Sequence, residues 1–243
     1  MEDILVSIIT VSLNSSATIE RTIKSVTGQT YKNIEYIIVD GGSTDSTMQI
    51  VERYGKEYDN ISYTSEPDRG IYDAMNKGLS RSRGELIGIL NSDDWYEKDA
   101  VERILEGYRE NDRKPAVYYG FMGVYKDGLE KSCLFFHHHF LPENMINHPS
   151  CFVSRQIYDK YGTYDTGYRI AADYDLMLRL FYIDEGLFYP VYERIANFSL
   201  GGASASSSSE MEADLLRKKY GLMSSRKYTM RKIVRTVKKW LGY

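Results

Sequence analysis

The sequence predicts an α/β domain on a mostly parallel sheet covered by helices, and three observations carry that prediction. Apolar runs of strand length alternate with stretches whose apolar residues recur at helical spacing. A chain of 243 residues with 42% hydrophobic content can bury one large core. Successive apolar runs also stop at carboxylates, at Asp40 and again at Asp93, and ligands of such sheets bind beyond the carboxyl ends of the strands.

Residues 6–11 form the first expected strand, and residues 18–27 a helix through Ile19, Ile23 and Val26. A second buried strand over 34–39 ends at Asp40. Gly41-Gly42-Ser43 turns the chain, and 44–54 continues as a helix capped by Ser43 or Thr44. A strand at 61–64, a helix at 70–80, a strand at 85–90 and a helix at 100–108 repeat the alternation. Thr10, Asp40 and Asp93 are therefore expected on one rim. Beyond Pro115 the alternation lapses: 116–125, Gly128 and 134–136 suggest a hairpin, and 173–182 an amphipathic helix, so this half is expected to shape the second substrate's pocket. The serine-rich stretch 203–209 is expected as a loop and helix cap. The expected divisions are 1–205 for the main domain, split at 115, and 206–243 for a helical extension.

Composition narrows the function. A net charge of −3 argues against a nucleic-acid binder whose affinity comes from phosphate neutralisation. The first residues, Met1-Glu2-Asp3-Ile4, have neither a basic nor a long apolar leader, and no apolar run reaches bilayer length, so a cytoplasmic protein is expected. Cys133 and Cys151 lack CxxC spacing and are expected as reduced structural thiols. The 22 tyrosines suit the edges of a core more often than stacking platforms. There is no GxGxxG after the first strand and no GxxxxGK[ST] loop, which disfavours dinucleotide oxidoreductases and P-loop enzymes.

The chemistry concentrates where the apolar run 86–90 meets Asn91-Ser92-Asp93-Asp94. Two adjacent carboxylates at a strand end call for a cation. Mg²⁺ or Mn²⁺ held by one or two carboxylates, with substrate phosphates completing the shell, is the first expectation. Asp40-Gly41-Gly42-Ser43 lets the backbone approach a ligand beside a carboxylate that can accept from a base or ribose; a well-capped turn is an equal alternative.

As a set these residues resemble the inverting glycosyltransferases of family 2, which have the nucleotide-sugar-binding GT-A fold, and in particular enzymes of bacterial polysaccharide assembly. The opening blocks are Val6-Ser7-Ile8-Ile9-Thr10 with Asn14, then Tyr31-Lys32-Asn33-Ile34-Glu35 running into Val39-Asp40-Gly41-Gly42-Ser43-Thr44-Asp45. Residues 66–78, 90–94 and 171–176 supply the rest, so the resemblance covers roughly 4–205. It implies transfer of a sugar from a nucleoside diphosphate, UDP by preference, to an acceptor hydroxyl with inversion. By that resemblance Thr10, Asn14, Asp40, Gly41 and Ser43 hold the nucleoside, Asp68 borders the pocket, and Asn91-Ser92-Asp93 takes the place of the DxD motif. Asp93 becomes the leading metal ligand and Asp94 the second. Asn91 for the first Asp and Met75 for the Arg that many relatives carry before Asn76 depart from the pattern; Lys77 or Arg69 is the expected substitute cation.

The catalytic base is expected from spacing as well as from resemblance. Asp173 and Asp175, two apart on a helix, point to nearly opposite sides. Asp175 has Arg179 four residues on as an ion-pair partner, which leaves Asp173 as the free carboxylate at the helix start. The alternative is a simple helix cap. His148 and Arg169 are expected on the acceptor side, with a hydrogen-bonded structural histidine and a structural ion pair as the alternatives, and residues 201–204 resemble a loop that closes over donor, or are simply a loop. His137-His138-His139 looks like a metal cluster, but strand alternation would align only His137 and His139, so a solvated or acceptor-side loop is expected there.

From 226 to 243 there are seven basic and no acidic side chains, with Met230, Ile233, Val234, Val237, Trp240 and Leu241 at helical spacing. Such a helix suits an anionic membrane surface, the expected seat of a glycan or polyprenyl-diphosphate acceptor, and makes the protein peripheral at the inner face of the plasma membrane. The alternative is a helix packed on the domain. Two other functions compete. A sugar-nucleotide pyrophosphorylase predicts a glycine-rich basic loop after the first strand, and Ser12-Leu13-Asn14-Ser15-Ser16 has neither glycine nor cation. A non-catalytic nucleotide-sugar-binding protein would have no need of both Asp93 and Asp173.

Overall fold

The structure is a computed structural model and describes residues 4–201 and 207–240. The first half follows the expected alternation: β1 (Val6–Ser12), α1 (Ile19–Thr27), β2 (Ile34–Asp40), α2 (Thr47–Glu57), β3 (Ile61–Ser65), α3 (Ile71–Arg81), β4 (Leu86–Asn91) and, after the short β5 (Trp95–Tyr96), α4 (Ala100–Glu110). The second half holds β6 (Val117–Lys126), β7 (Leu129–Leu134), β8 (Cys151–Ser154), α5 (Arg155–Tyr161), α6 (Ala172–Ile183), β9 (Phe188–Ser199), α7 (Ser207–Lys219) and α8 (Ser225–Trp240).

One mixed sheet runs in the order β3-β2-β1-β4-β8-β6-β9-β5, with β7 paired to β6. β1, β2, β3 and β4 are mutually parallel. β8 joins β4 antiparallel and carries the sheet into the second half. Both faces of β1 and β2 are buried along their whole length, as parallel strands between two helical layers must be. Alternate residues serve opposite layers: Val6 and Ile8 pack with Ile19, Ile23 and Ile104, whereas Ile9 and Val11 pack with Met75, Leu79 and Leu176.

Register aligns the strand ends on one rim. Ser12 pairs with Asp40, Val11 with Asn91, and Asp40 with Ser65. Thr10 lies two residues inside β1, not at its end.

Several boundaries differ from expectation. α2 begins at Thr47 because residues 44–46 belong to a loop fastened by side chains, with the Asp45 carboxylate accepting from the Thr47 and Ser16 backbone N–H groups. The hairpin turns on Asp127 and Gly128, at φ 53° and 75°, so its second strand starts at Leu129 and ends before Phe135. Residues 207–209, expected as loop, open α7 instead, and residues 202–206 lie outside the described residues. α6 is buried on most sides, not amphipathic. The tyrosines serve the core: Tyr36, Tyr118 and Tyr119 are wholly buried, and Tyr36 donates to the Thr10 hydroxyl at 3.0 Å. Cys133 and Cys151 are both free thiols.

Candidate active site

The loop after β1 and the loop after β2 are laced together. Asn14, at φ 50°, donates its backbone N–H to Ser43 Oγ at 2.7 Å, and its Oδ1 accepts from the Thr44 N–H at 2.9 Å. Asp40 is buried and fully engaged. Oδ1 accepts from Ser12 Oγ and Ser43 Oγ, while Oδ2 accepts from the Gly42 and Ser43 N–H groups and from Ser65 Oγ. Burial alone would raise its pKa; the donors, Ser43 foremost, outweigh burial and hold it below the usual carboxylate range. The capped-turn reading describes Asp40 here, since its oxygens face its own loop and not an open base pocket. Thr10 likewise is buried against Tyr36 and lines no surface.

Gly41 sits against Asp68, whose Oδ2 would lie 3.0 Å from a Cβ at that position. Asp68 in turn accepts from Lys77 Nζ at 2.6 Å, and Glu66 lies 3.2 Å from the same ammonium. Arg69 is exposed and paired with Asp73. Beside the acid pair stands Arg21 of α1, which the sequence reading missed. Its guanidinium stacks 3.8 Å over Trp95 and donates to the Asp93 carbonyl at 2.6 Å.

At the end of β4 the two carboxylates part company. Asp94 is completely buried: Oδ1 accepts from the Ser199 N–H at 3.0 Å, and Asn91 Nδ2 lies 3.4 Å from Oδ2. Burial, and then the neighbouring Asp93 charge, push its pKa well above the ordinary value. Asp93 is partly exposed, and burial leaves its pKa raised, with a backbone N–H and then the Arg21 charge offsetting only part of that rise. The two acids expected to ligate a metal are therefore placed differently. The turn closed by the Asp94 N–H on the Asn91 carbonyl sends Asp94 inward, and only Asp93 keeps an accessible carboxylate. Ser92 bonds Ser15 at 2.7 Å, while Asn91 Oδ1 is buried with no hydrogen-bond partner among the described residues.

Asp173 occupies the first turn of α6 and is partly exposed. It is not partnerless, as expected, because the Tyr72 hydroxyl donates to its Oδ1 at 2.8 Å. Tyr72 is in the first turn of α3, directly after the carboxyl end of β3, so this bond brings the start of α6 to the rim that carries Asp93. Oδ1 also accepts from the Tyr174 N–H at 2.9 Å. Asp175 turns the other way into a buried cluster, accepting from Arg179 at 3.0 Å, Lys219 at 2.9 Å and the Tyr220 hydroxyl at 3.2 Å. That opposition is the one the spacing predicts.

Glu212 of α7, also missed, closes the start of α6. Its carboxylate accepts from the backbone N–H groups of Arg169, Ile170 and Ala171. The Arg169 side chain itself is exposed. His148 meets the Tyr164 hydroxyl at 3.2 Å, and burial lowers its pKa against the pull of the nearby Asp173. A cleft of about 460 Å³ opens beside Asp173, lined also by Met145, Ile170, Arg217 and Arg231.

The glycosyl transferase family 2 model matches residues 7–162, more than half of the chain. The chain belongs to that family. A family 2 glycosyltransferase moves a sugar from a nucleotide-sugar donor, and this chain is such an enzyme. It is similar to the PGL/p-HBAD biosynthesis glycosyltransferase of Mycobacterium bovis, with 30% identity over 177 residues that span 72% of this chain and 69% of the relative. Chondroitin synthase of Escherichia coli is also 30% identical over 72% of this chain, but the match spans 26% of that protein. Among solved structures, S. aureus TarS 1–349 in complex with UDP-GlcNAc superposes with a TM-score of 0.74 at 16% identity, covering 93% of this chain and 69% of that one. The chain spans about two fifths, 41%, of the longer TarS chain. The mannosyltransferase PcManGT of Pyrobaculum calidifontis, in complex with GDP-Man and Mn²⁺, superposes with a TM-score of 0.60 at 17% identity, covering 89% of this chain and 61% of that one. These neighbours bear out the GT-A-like fold class.

Proposed function

We propose that the enzyme transfers a sugar from a UDP-sugar to a hydroxyl of a glycan or polyprenyl-diphosphate-linked acceptor, with inversion and with a divalent cation. The Tyr72–Asp173 hydrogen bond carries this reading, because it ties a carboxylate to the same rim as Asp93. Both bonds to Asp173 fall on Oδ1, which leaves Oδ2 to take the acceptor's proton. As the acceptor oxygen attacks the anomeric carbon, the bond from that carbon to the nucleotide phosphate oxygen breaks. One base and a stabilised leaving group suffice, without a covalent nucleophile.

The rim suits a hard cation: Asn91 Oδ1 is a buried oxygen without a hydrogen-bond partner among the described residues, and the Asp93 carboxylate, two residues on, is accessible. Those two side chains would hold Mn²⁺ or Mg²⁺, which when bound offsets charge developing on the departing diphosphate. Donor contact then rests on Asn14, Gly41, Ser43, Asp68, Asn91, Ser92 and Asp93. Asp40 and Asp94 shape the loops from inside. The acceptor enters beside Asp173, near His148 and Arg169. The TarS complex with UDP-GlcNAc favours UDP, and the PcManGT complex with Mn²⁺ favours a metal.

A membrane role for residues 226–243 is part of this proposal. No described helix is long and apolar enough to cross a membrane. Met230, Ile233 and Val234 are 60%, 58% and 51% exposed on one face of α8, which favours a surface-bound helix over one packed on the domain. Val237 and Trp240 have side chains outside the described set, and Leu241 is outside the described residues.

Hydrolysis of a panel of nucleotide sugars, with and without Mn²⁺, tests the proposal. Asp173→Asn and Asp93→Ala are each expected to lower turnover about a hundredfold or more, the scale of losing one transition-state interaction, with an unchanged circular dichroism spectrum. Full activity in either folded variant refutes the assignment.

A further inference from the structure

The three consecutive histidines do not lie on a strand. Residues 138–140 form a 3₁₀ turn, and its tight winding gathers the rings that strand alternation would have separated. The ring centroids of His137, His138 and His139 lie 4.2, 4.5 and 4.5 Å apart in pairs. One nitrogen from each ring falls within 4.8 Å of the others.

The surroundings of the rings select which nitrogens are available. His139 Nδ1 is 3.0 Å from Glu185 Oε2, and an ionised carboxylate only accepts, so the proton sits on Nδ1 and the other nitrogen is left with a lone pair. His138 Nδ1 is 2.8 Å from the Tyr119 hydroxyl, whose oxygen also accepts from the His138 backbone N–H at 3.0 Å; the proposed site uses the tautomer in which that oxygen accepts from Nδ1 as well, leaving the other ring nitrogen its lone pair. His137 Nδ1 accepts only a long 3.3 Å bond from the His139 backbone N–H, the one contact that ligation must displace. Carboxylate and hydroxyl partners behind imidazoles are the outer support that metal-binding histidines use.

We propose that His137, His138 and His139 form a binding site for a borderline transition-metal ion of the Zn²⁺ class, separate from the donor cation. Three imidazoles suit zinc, nickel or copper, whereas Asp93 and Asn91 offer hard oxygens. Zinc–nitrogen distances of about 2.0–2.1 Å require nitrogens about 3.4 Å apart. Rotation of the partly exposed His137 and exposed His139 supplies the contraction from 4.8 Å. Three protein ligands leave a fourth position for water. The site lies near the far end of α6 from Asp173, about 15 Å along the helix axis, since Glu185 follows the last turn of α6. Its ion would fasten the connection between β7 and β8, whose Leu141 carbonyl accepts from the Tyr174 hydroxyl at 2.7 Å, to the end of α6.

The test uses tag-free, chelator-treated protein titrated with Zn²⁺ by calorimetry in excess Mg²⁺. One tight equivalent is expected in the wild type and in Asp93→Ala. It should disappear in His137→Ala and His139→Ala, both of which spare the buried His138, and weaken about tenfold in Glu185→Gln, as loss of an outer partner does. Co²⁺ substitution gives a second readout, a d–d absorption band lost in the same variants. Absence of that equivalent in folded wild type, or unchanged affinity in a folded His137→Gln/His139→Gln protein, overturns the proposal.

Discussion

At the scale of single residues, the site depends on which carboxylates are held and by what. In the proposed mechanism the hydrogen bond from Tyr72 to Asp173 is made to a group that acts only as the acceptor reacts, so Tyr72→Phe is expected to lower kcat and leave the donor KM unchanged. A hydrogen bond to a charged group contributes about 1.5–3 kcal/mol, hence a loss of about tenfold or more, read by steady-state kinetics. A rise in donor KM alone would place Tyr72 in donor binding instead. Glu35 shows the same logic in a structural role. It accepts from Ser7 Oγ at 2.6 Å, Arg83 Nε at 2.9 Å and the Gly84 N–H at 3.0 Å. Burial raises its pKa, yet the donors, Ser7 first, outweigh burial and leave it lowered. A carboxylate with a depressed folded pKa stabilises the fold above its unfolded pKa, near 4.5, and that stability is lost as pH falls through the folded value. Glu35→Gln is expected to cost about 1–3 kcal/mol at neutral pH. Denaturant titrations should show the deficit shrinking below about pH 4; a constant deficit would deny the linkage.

At the scale of elements, α6 is positioned from outside itself. Its N-cap, Ala171, has no side chain able to accept, and the carboxylate of Glu212 takes the N–H groups of residues 169–171 from across the interface with α7. Glu212→Ala is expected to cost about 1 kcal/mol, a fall of about 2–4 °C in melting temperature, and to lower kcat by loosening the turn that carries Asp173. Glu212→Gln keeps one acceptor oxygen and should lose less; equal loss from both would mean that charge, not capping, is what matters. This cap also marks the limit of what the sequence discloses. The first half was legible because strands buried on both faces write unbroken apolar runs, as in residues 86–90. β7 is almost wholly exposed, β8 has four residues, and β9 is broken by Pro190 and charged positions, so none leaves a clear period. Asp173 and Asp175 were separable because helix geometry is local. Tyr72 and Glu212 were invisible because their contacts cross 101 and about 40 positions of chain. The order of Asp93 before Asp94 came from resemblance, whereas the burial of Asp94 was not legible, because the turn that buries it is set by backbone bonding, not by side-chain period.

At the scale of the whole molecule, the cleft beside Asp173 and the basic helix are physically continuous. Arg231 of α8 lines the cleft beside Asp173 and donates to the buried Asp214 of α7 at 2.8 Å, with Arg217 on the same oxygen at 3.1 Å. Deleting residues 226–243 would therefore disturb the cleft as well as any lipid contact, because a cation facing a buried carboxylate would go with it. Substitution of the exposed apolar face separates the two effects. Met230, Ile233 and Val234 are exposed and make none of the bonds to Asp214, so replacing all three with Ser is expected to leave the Arg231 pair in place. Burial of such side chains contributes about 1.5–3 kcal/mol each at full depth, and partial insertion of three still amounts to several kcal/mol. The triple variant is expected to lose sedimentation with anionic vesicles by about a hundredfold in partition coefficient, while hydrolysis of soluble donor stays unchanged. Raising salt should weaken the wild-type protein's binding to the same vesicles, since each basic residue near the surface adds about 1 kcal/mol that screening removes. Undiminished vesicle binding by the triple variant would assign those side chains to another surface.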